Sequence, residues 1–249
     1  MHDTVYLSVL VAAVVAGLAL LFIQAPYGRY VRSGWGPTMS TRWAWIIMES
    51  PAVLAFLLFY VGGESASSTV SLVFLCMWLA HYVHRTFIYP LRMRGSESRR
   101  TPVLIPGLAL VFNIANAYLN GSWISSAEAA YSLEWLITPM FVIGSALFLL
   151  GFVINRWADA KLRALRPPGD SGYYVPHGGL YRWISCPNYF GEIIQWFGWA
   201  IATWSTAGLA FAVFTTANLA PRALSHHRWY REKFSEYPSE RRALIPWVL

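Results

Sequence analysis

Two side chains stand where an apolar chain has no structural need of them. Glu49 interrupts the run WIIMESPAVLAF, and Tyr82 lies in WLAHYVHRTFIYPLRMRG, shortly before Arg85 and Tyr89. An ionised carboxylate at mid-helix costs roughly 2.5–3.5 kcal/mol on insertion scales, so it persists only when paired, neutral or lining a cavity. The one basic residue at comparable depth is Arg85, nearer the surface, so Glu49 is expected to stand uncharged, as a hydrogen-bond donor. Spacings of three to four put Tyr82, Arg85 and Tyr89 on or near one helical face, with His81 and His84 adjacent. At 1.5 Å per residue, Tyr82 lies about 10 Å and Glu49 about 9 Å from the inner ends of their helices. A phenol and a carboxylic acid at equal depth suit the polarising of a carbonyl oxygen. The structural alternatives are a hydrogen bond at the Pro51 kink for Glu49 and an aromatic-belt position for Tyr82. His81 and His84 have no third ligand at a set spacing, so no metal is expected.

A further cluster is split along the chain. Asn155 and Asp159 are one turn apart, with Arg163 and Arg166 following. Asn188 and Glu192 repeat that spacing, and Arg222, His226 and Tyr230 form an i, i+4, i+8 stripe. Three helix ends thus point polar stripes at one region. For any one residue a solvated helix end is the simpler explanation. Together they suit a phosphate-rich ligand, with Arg forks for phosphates and Asn, Asp and Glu for ribose and amide groups. The chain has no G-x-G-x-x-G after a strand and no G-x-x-x-x-G-K-[ST], which excludes the Rossmann and P-loop routes.

The elements that must position these groups are membrane helices. The chain is 56% hydrophobic and 12% charged, about half the charge of a soluble domain. Seven spans are predicted, at 5–24, 43–61, 69–89, 102–119, 136–154, 189–204 and 207–220, the last two separated only by Ser205-Thr206. All 19 Lys and Arg fall at or beyond alternate span ends, and the loops 62–68 and 120–135 hold none. The expected fold is therefore an all-α seven-span bundle, one domain over 1–249, with the N-terminus outside and the C-terminus in the cytoplasm. The net charge of +7 is a topology signal and implies no nucleic-acid partner. The long cytoplasmic connections, with the turn-rich run RPPGDSGYYVPHGG at 166–179, are where a charged ligand would bind. Cys76 lies in a span and Cys186 in a polar loop, so no disulfide is expected.

Five stretches in order resemble the steroid 5-alpha-reductase family, the 3-oxo-5-alpha-steroid 4-dehydrogenases. They are Glu49-Ser50-Pro51, HYVHRTFIYPL, the run from 154 to 169, GGLYRWISCPNYFGEIIQWFGWAIATW, and the tail RALSHHRWYREKFSEYPSERRALIPWVL. The resemblance implies NADPH-dependent reduction of the C4–C5 double bond of a 3-oxo-4-ene steroid. It also implies Glu49 and Tyr82 as catalytic residues at the 3-oxo group. The implied cofactor residues are Tyr89, Asn155, Asp159, Arg166, Tyr173, Asn188, Glu192, Arg222, His226 and Tyr230, the C-terminal half (about 100–249) forming most of that site. Met48 stands where the family often has Gln beside the Glu, which bears on the steroid preferred. A steroid or sterol-like lipid substrate, surrounding membrane lipids and a monomeric state are expected. The host membrane would be a bacterial plasma membrane or the endoplasmic reticulum, with the cofactor site facing the cytoplasm.

Two other functions fit parts of the chain. A methyltransferase of the isoprenylcysteine type, using S-adenosylmethionine, shares the look of CPNYFGE but needs no intramembrane Glu–Tyr pair. A seven-span lipid receptor leaves the charged cytoplasmic stripes without a use, and a retinal protein would need a lysine within a span. Lys161 and Lys233 both lie outside the spans.

Overall fold

The computed structural model describes residues 2–129, 131–167, 170 and 172–249; Pro168, Gly169 and Ser171 of the turn-rich run lie outside them. The helices are α1 (His2–Phe22), α2 (Thr41–Glu49), α3 (Pro51–Val61), α4 (Thr69–Val83), α5 (Tyr89–Arg92), α6 (Leu104–Ser125), α7 (Pro139–Ala164), α8 (Pro187–Thr203) and α9 (Thr206–Lys233). Short strands β1 (Thr38–Ser40) and β2 (Arg100–Pro102) pair antiparallel, Met39 opposite Thr101. Among the described residues, four stretches are long and apolar enough to cross a membrane: His2–Phe22, Thr41–Val61, Leu104–Ser125 and Pro139–Ala164.

The structure keeps the predicted break at Ser205-Thr206 and departs elsewhere, the fifth and seventh predicted spans running on to Ala164 and Lys233. The fourth runs on to Ser125 because Asn120 is accommodated inside the helix: its amide bonds the Asn116 carbonyl and side chain, and its Oδ1 accepts from Trp199 Nε1 at 2.8 Å. A satisfied amide does not end a helix. The third passes after Val83 into a π-turn, His84–Ile88, before α5. At Ser205-Thr206 the chain is two helices, broken where Trp204 adopts a left-handed φ of 44° and Ser205 caps α9 by accepting from Gly208 N. The stripe of Arg222, His226 and Tyr230 then lies within α9, which continues to Lys233.

Pro51 separates α2 from α3 and would leave carbonyls on the preceding turn without donors. Each receives a side chain instead. Ser50 Oγ bonds the Ile47 carbonyl (3.0 Å), Asn113 Nδ2 of α6 bonds that of Met48 (2.6 Å), and Thr86 Oγ1 of the π-turn bonds that of Glu49 (3.2 Å). Three elements thereby hold the kink that presents Glu49.

The tightest contact joins α7 to α8. A Cβ at Gly151 would collide with the Gln195 amide nitrogen and the Gly191 carbonyl, and one at Gly191 would stand 2.6 Å from Asn155 N. Gly144 and Gly198 repeat this seven residues away. The backbones touch, and side chains just beyond the glycines, Asn155 and Glu192, are brought within bonding distance. Below them an aromatic core centres on Trp78, which stacks on Phe56 at 4.3 Å, packs against Trp196, Trp199 and Phe211, and donates to the Ala52 carbonyl.

Candidate functional site

A cavity of about 440 Å³ opens between α1, α2, α4, α6 and α9. Ala16, Ala19, Leu20, Leu108, Phe112 and Phe214 give it apolar walls, and Glu49, Tyr82, Arg85, Glu192 and Arg222 also line it. The Tyr82 ring is fixed between Trp78 (4.8 Å), His81 (4.9 Å) and Trp196 (5.6 Å). Among the described residues its hydroxyl has no hydrogen-bond partner, which leaves it free to donate to a ligand.

Glu49 is not the unpaired acid expected from the sequence. Arg85 Nε lies 3.6 Å from Glu49 Oε1, and Arg85 NH2 lies 3.8 Å from Glu192 Oε2. Arg85 stands in the π-turn that follows α4. The same turn leaves the Arg85 carbonyl to accept from Trp45 Nε1 (3.1 Å), while the guanidinium lies over the Trp45 ring at 4.6 Å. One guanidinium therefore faces two carboxyl groups.

A polar chain runs from this cluster to a second cavity. Asn155 Nδ2 donates to Glu192 Oε2 (3.2 Å) and to the Asn188 carbonyl (3.0 Å), and Asn188 Nδ2 donates to Asp159 Oδ1 (3.1 Å). The second cavity, of about 160 Å³, is lined by Arg29, Tyr89, Arg94, Asp159, Arg163, Arg166, Tyr173, Asn188 and Tyr230 among others. Arg29 stacks over Tyr173 (4.8 Å), Trp229 (4.4 Å) and Tyr230 (4.8 Å), and its buried NH1 has no hydrogen-bond partner among the described residues. Arg166 lies over Tyr173 from another side at 4.9 Å and donates to the Gly172 carbonyl. In the loop below, the Tyr174 hydroxyl and Gly172 N bond Asp170 and hold its carboxyl below the usual range.

Of the twelve residues singled out in the sequence, Glu49, Tyr82, Glu192 and Arg222 line the larger cavity. Tyr89, Asp159, Arg166, Tyr173, Asn188 and Tyr230 line the smaller one. Asn155 bridges the two, and His226 stands behind Arg222: its Nε2 meets the Tyr189 hydroxyl (3.0 Å), to which Arg222 NH2 donates (3.0 Å). Its other nitrogen meets the Tyr30 hydroxyl at 3.0 Å. Burial, with Arg29 and Arg222 nearby, pushes the His226 imidazole well below its ordinary value, so it bridges the two phenols uncharged. His81 and His84 have separate partners, Gln195 and Arg156.

Sequence reasoning missed Arg29, Trp45 and Asn113, and gave Arg85 no role in the site. Arg29 read as one more topology charge, and only its place beside Gly28, a positive-φ residue, hinted at a shaped loop. Asn113 was visible, with Asn116, as an amide in an otherwise apolar span.

A cluster of ionisable side chains sunk in a bundle of apolar helices faces a largely apolar cavity and is joined by hydrogen bonds to an arginine-lined one, an arrangement that belongs to the class of polytopic membrane proteins. Comparison with known proteins is specific about which. The family model for 3-oxo-5-alpha-steroid 4-dehydrogenase matches residues 99–249. The steroid 5-alpha-reductase DET2 of Gossypium hirsutum is 41% identical over 245 residues, covering 97% of this chain and 95% of the relative. That of Arabidopsis thaliana is 42% identical over 247 residues, covering 97% and 94%. The 3-oxo-5-alpha-steroid 4-dehydrogenase 1 of Bos taurus is 40% identical over 240 residues, covering 95% and 92%. The chain belongs to the 3-oxo-5-alpha-steroid 4-dehydrogenase family of oxidoreductases.

Proposed function

We propose that this protein reduces the C4–C5 double bond of 3-oxo-4-ene steroids with NADPH, Glu49 and Tyr82 gripping the 3-oxo group. The observation that carries this reading is that both side chains line one largely apolar cavity, where the Tyr82 hydroxyl is unpartnered. The names of the relatives, all steroid reductases or steroid dehydrogenases, support the reaction class.

The chain's residues fit the cofactor. Arg29, with its unpartnered buried nitrogen, and Arg166 suit phosphate groups beside the aromatic faces of Tyr173 and Tyr230. Asp159, Asn188, Asn155 and Glu192 suit ribose and carboxamide, with Tyr89, Arg222 and His226 completing the site. NADPH, when bound, would supply a hydride equivalent for the β-carbon of the enone, and a proton from water would complete the reduction at the α-carbon.

As that carbon is reduced, negative charge gathers on the carbonyl oxygen. Tyr82 donates its O–H to that oxygen. The Glu49–Arg85–Glu192 cluster becomes neutral on taking up one proton, and with that proton on Glu49 a second donor faces the oxygen. Donors placed in advance in a water-poor site stabilise such charge strongly; losing one costs about 10²–10³ in rate in other enzymes. Arg85 keeps the remaining carboxylate paired, so the donor acid is held without an uncompensated charge.

The same reading makes the chain one domain over 1–249, a monomer with seven spans, the N-terminus outside and the cofactor chamber facing the cytoplasm. The alternation of the arginines supports this sidedness. The lipid then enters from the bilayer and the dinucleotide from the cytoplasm. Purified protein incubated with NADPH and progesterone or testosterone should yield a product two mass units heavier. Tyr82→Phe and Glu49→Gln should each lower turnover about 10²-fold or more with NADPH affinity kept. Near-normal turnover in both variants would refute the mechanism.

A further inference from the structure

The α9 wall of the larger cavity is not uniformly apolar. Among Phe211, Phe214 and Leu219 stand Thr215, Asn218 and Arg222, at i, i+3 and i+7 on one face. Arg222 is already engaged: it donates to the Tyr189 hydroxyl at 3.0 Å and to Asn218 Oδ1 at 3.4 Å, and it lies over the Tyr27 ring at 5.0 Å. The contact to Oδ1 orients the Asn218 amide and leaves its Nδ2 without a partner among the described residues.

Thr215 is only 6% exposed. Its neighbour Thr216 bonds back to the Ala212 carbonyl at 2.8 Å, as a threonine in an apolar helix ordinarily does. Among the described residues Thr215 makes no such bond, and it lines the cavity with its hydroxyl unpartnered. Valine and leucine would pack here without any polar group to desolvate.

The pair also comes from a different element. α1 crosses α9 at Gly17 and Ala217, and Phe214 stacks on Phe112 of α6 at 3.6 Å. Thr215 and Asn218 thus flank the crossing that brings Ala16, Ala19 and Leu20 to the cavity, whereas Glu49 and Tyr82 come from α2 and α4.

We propose that Thr215 and Asn218 form a second polar station, which hydrogen-bonds an oxygen of the lipid remote from the one gripped by Glu49 and Tyr82. The inference rests on the reductase reading and deepens it: the substrate class is a steroid with a second oxygen, hydroxyl or oxo, at its far end. A pocket built to hydrogen-bond such an oxygen discriminates against the analogue lacking it, because its own polar groups are then left unpaired.

The test compares testosterone with its 17-deoxy analogue by equilibrium binding to the purified full chain in lipid nanodiscs, alongside NADPH binding. Wild type should bind testosterone about tenfold tighter. In Thr215→Val, Asn218→Leu and the double variant the ratio should fall towards one through weaker testosterone binding alone, with NADPH affinity unmoved. Thr215→Ser, which keeps the hydroxyl, should keep the ratio and so separates this effect from misfolding. An unchanged ratio in the folded variants overturns the station while leaving the reductase reading intact. So does weakened NADPH binding with the ratio kept, which would assign the pair to the cofactor. Failure of wild type to bind or reduce either steroid overturns both.

Discussion

Gly151→Ala is the most economical test of how the two chambers are joined. The new methyl would stand 2.8 Å from Gln195 Cα, where ordinary contact begins at 3.4 Å, and closer still to the Gln195 nitrogen and Gly191 oxygen. These are backbone atoms on a helix, so no side chain can swing aside, and α8 must retreat by at least the 0.6 Å difference. The Asn155 Nδ2–Glu192 Oε2 hydrogen bond, 3.2 Å long, would then exceed bonding distance. Overpacking of this kind costs about 1–3 kcal/mol, and a lost hydrogen bond to a charged group about 1.5–3 kcal/mol. Some of this is recovered by relaxation and by the better helix propensity of alanine. A net loss of about 2–4 kcal/mol is expected, which lowers the thermal midpoint by roughly 5–10 °C in a domain of this size. NADPH affinity should fall with it, because Asn155 and Asn188 no longer hold their places. Gly107→Ala is the control: nothing lies within 4 Å of a Cβ there, so the midpoint should stay or rise slightly. Both measurements are made by thermal unfolding in nanodiscs with and without NADPH. If Gly151→Ala matched the control in midpoint and in affinity, the backbone contact would not be what sets the Asn155–Glu192 geometry.

Two further tests address charge. Arg85→Met leaves Glu49 and Glu192 facing each other unpaired and should cost about 3–5 kcal/mol, while Glu192→Gln in that background should restore part of the loss; a fully stable Arg85→Met protein in an unfolding assay would show that the guanidinium does not hold the cluster. At the C-terminal tail, Ser185 Oγ joins His227 Nδ1 and the Tyr237 hydroxyl, each at 2.7 Å. Burial, then Arg231, Arg242 and Arg241, push the His227 imidazole below its ordinary 6.5. The unfolded tail therefore binds the proton more readily, and the stability this contact gives is full above pH 6.5 and declines as pH falls below it. The hydrogen-exchange protection of residues 237–249, taken relative to the unstructured chain at the same pH, should fall on going from pH 7.5 to about pH 5, and less so in His227→Asn; protection independent of pH would remove His227 from the lock.

Much of the site was legible in the chain because membrane burial makes polar residues conspicuous. Glu49, Tyr82, Asn188 and Glu192 stand out against apolar neighbours, helical spacing aligns Asn155 with Asp159, and the arginines mark one side. The kink at Pro51 was equally visible, although which donors would satisfy its carbonyls was not, since Asn113 and Thr86 come from distant segments.

What only the tertiary structure decided is which charges meet. Periodicity assumes 3.6 residues per turn, so the π-turn at His84–Ile88, in which Arg85 stands, leaves no mark on it. Nor does spacing reveal that Gly151 and Gly191 face one another, because close approach is a property of two helices and not of either alone. Residue types thus determined that an acid, a phenol and a set of cations would be buried. The crossing of α7 on α8 and the fold of the 23–40 segment over α9 decided their partners, because in a low-dielectric interior a charge is tolerated only where packing delivers its counterpart.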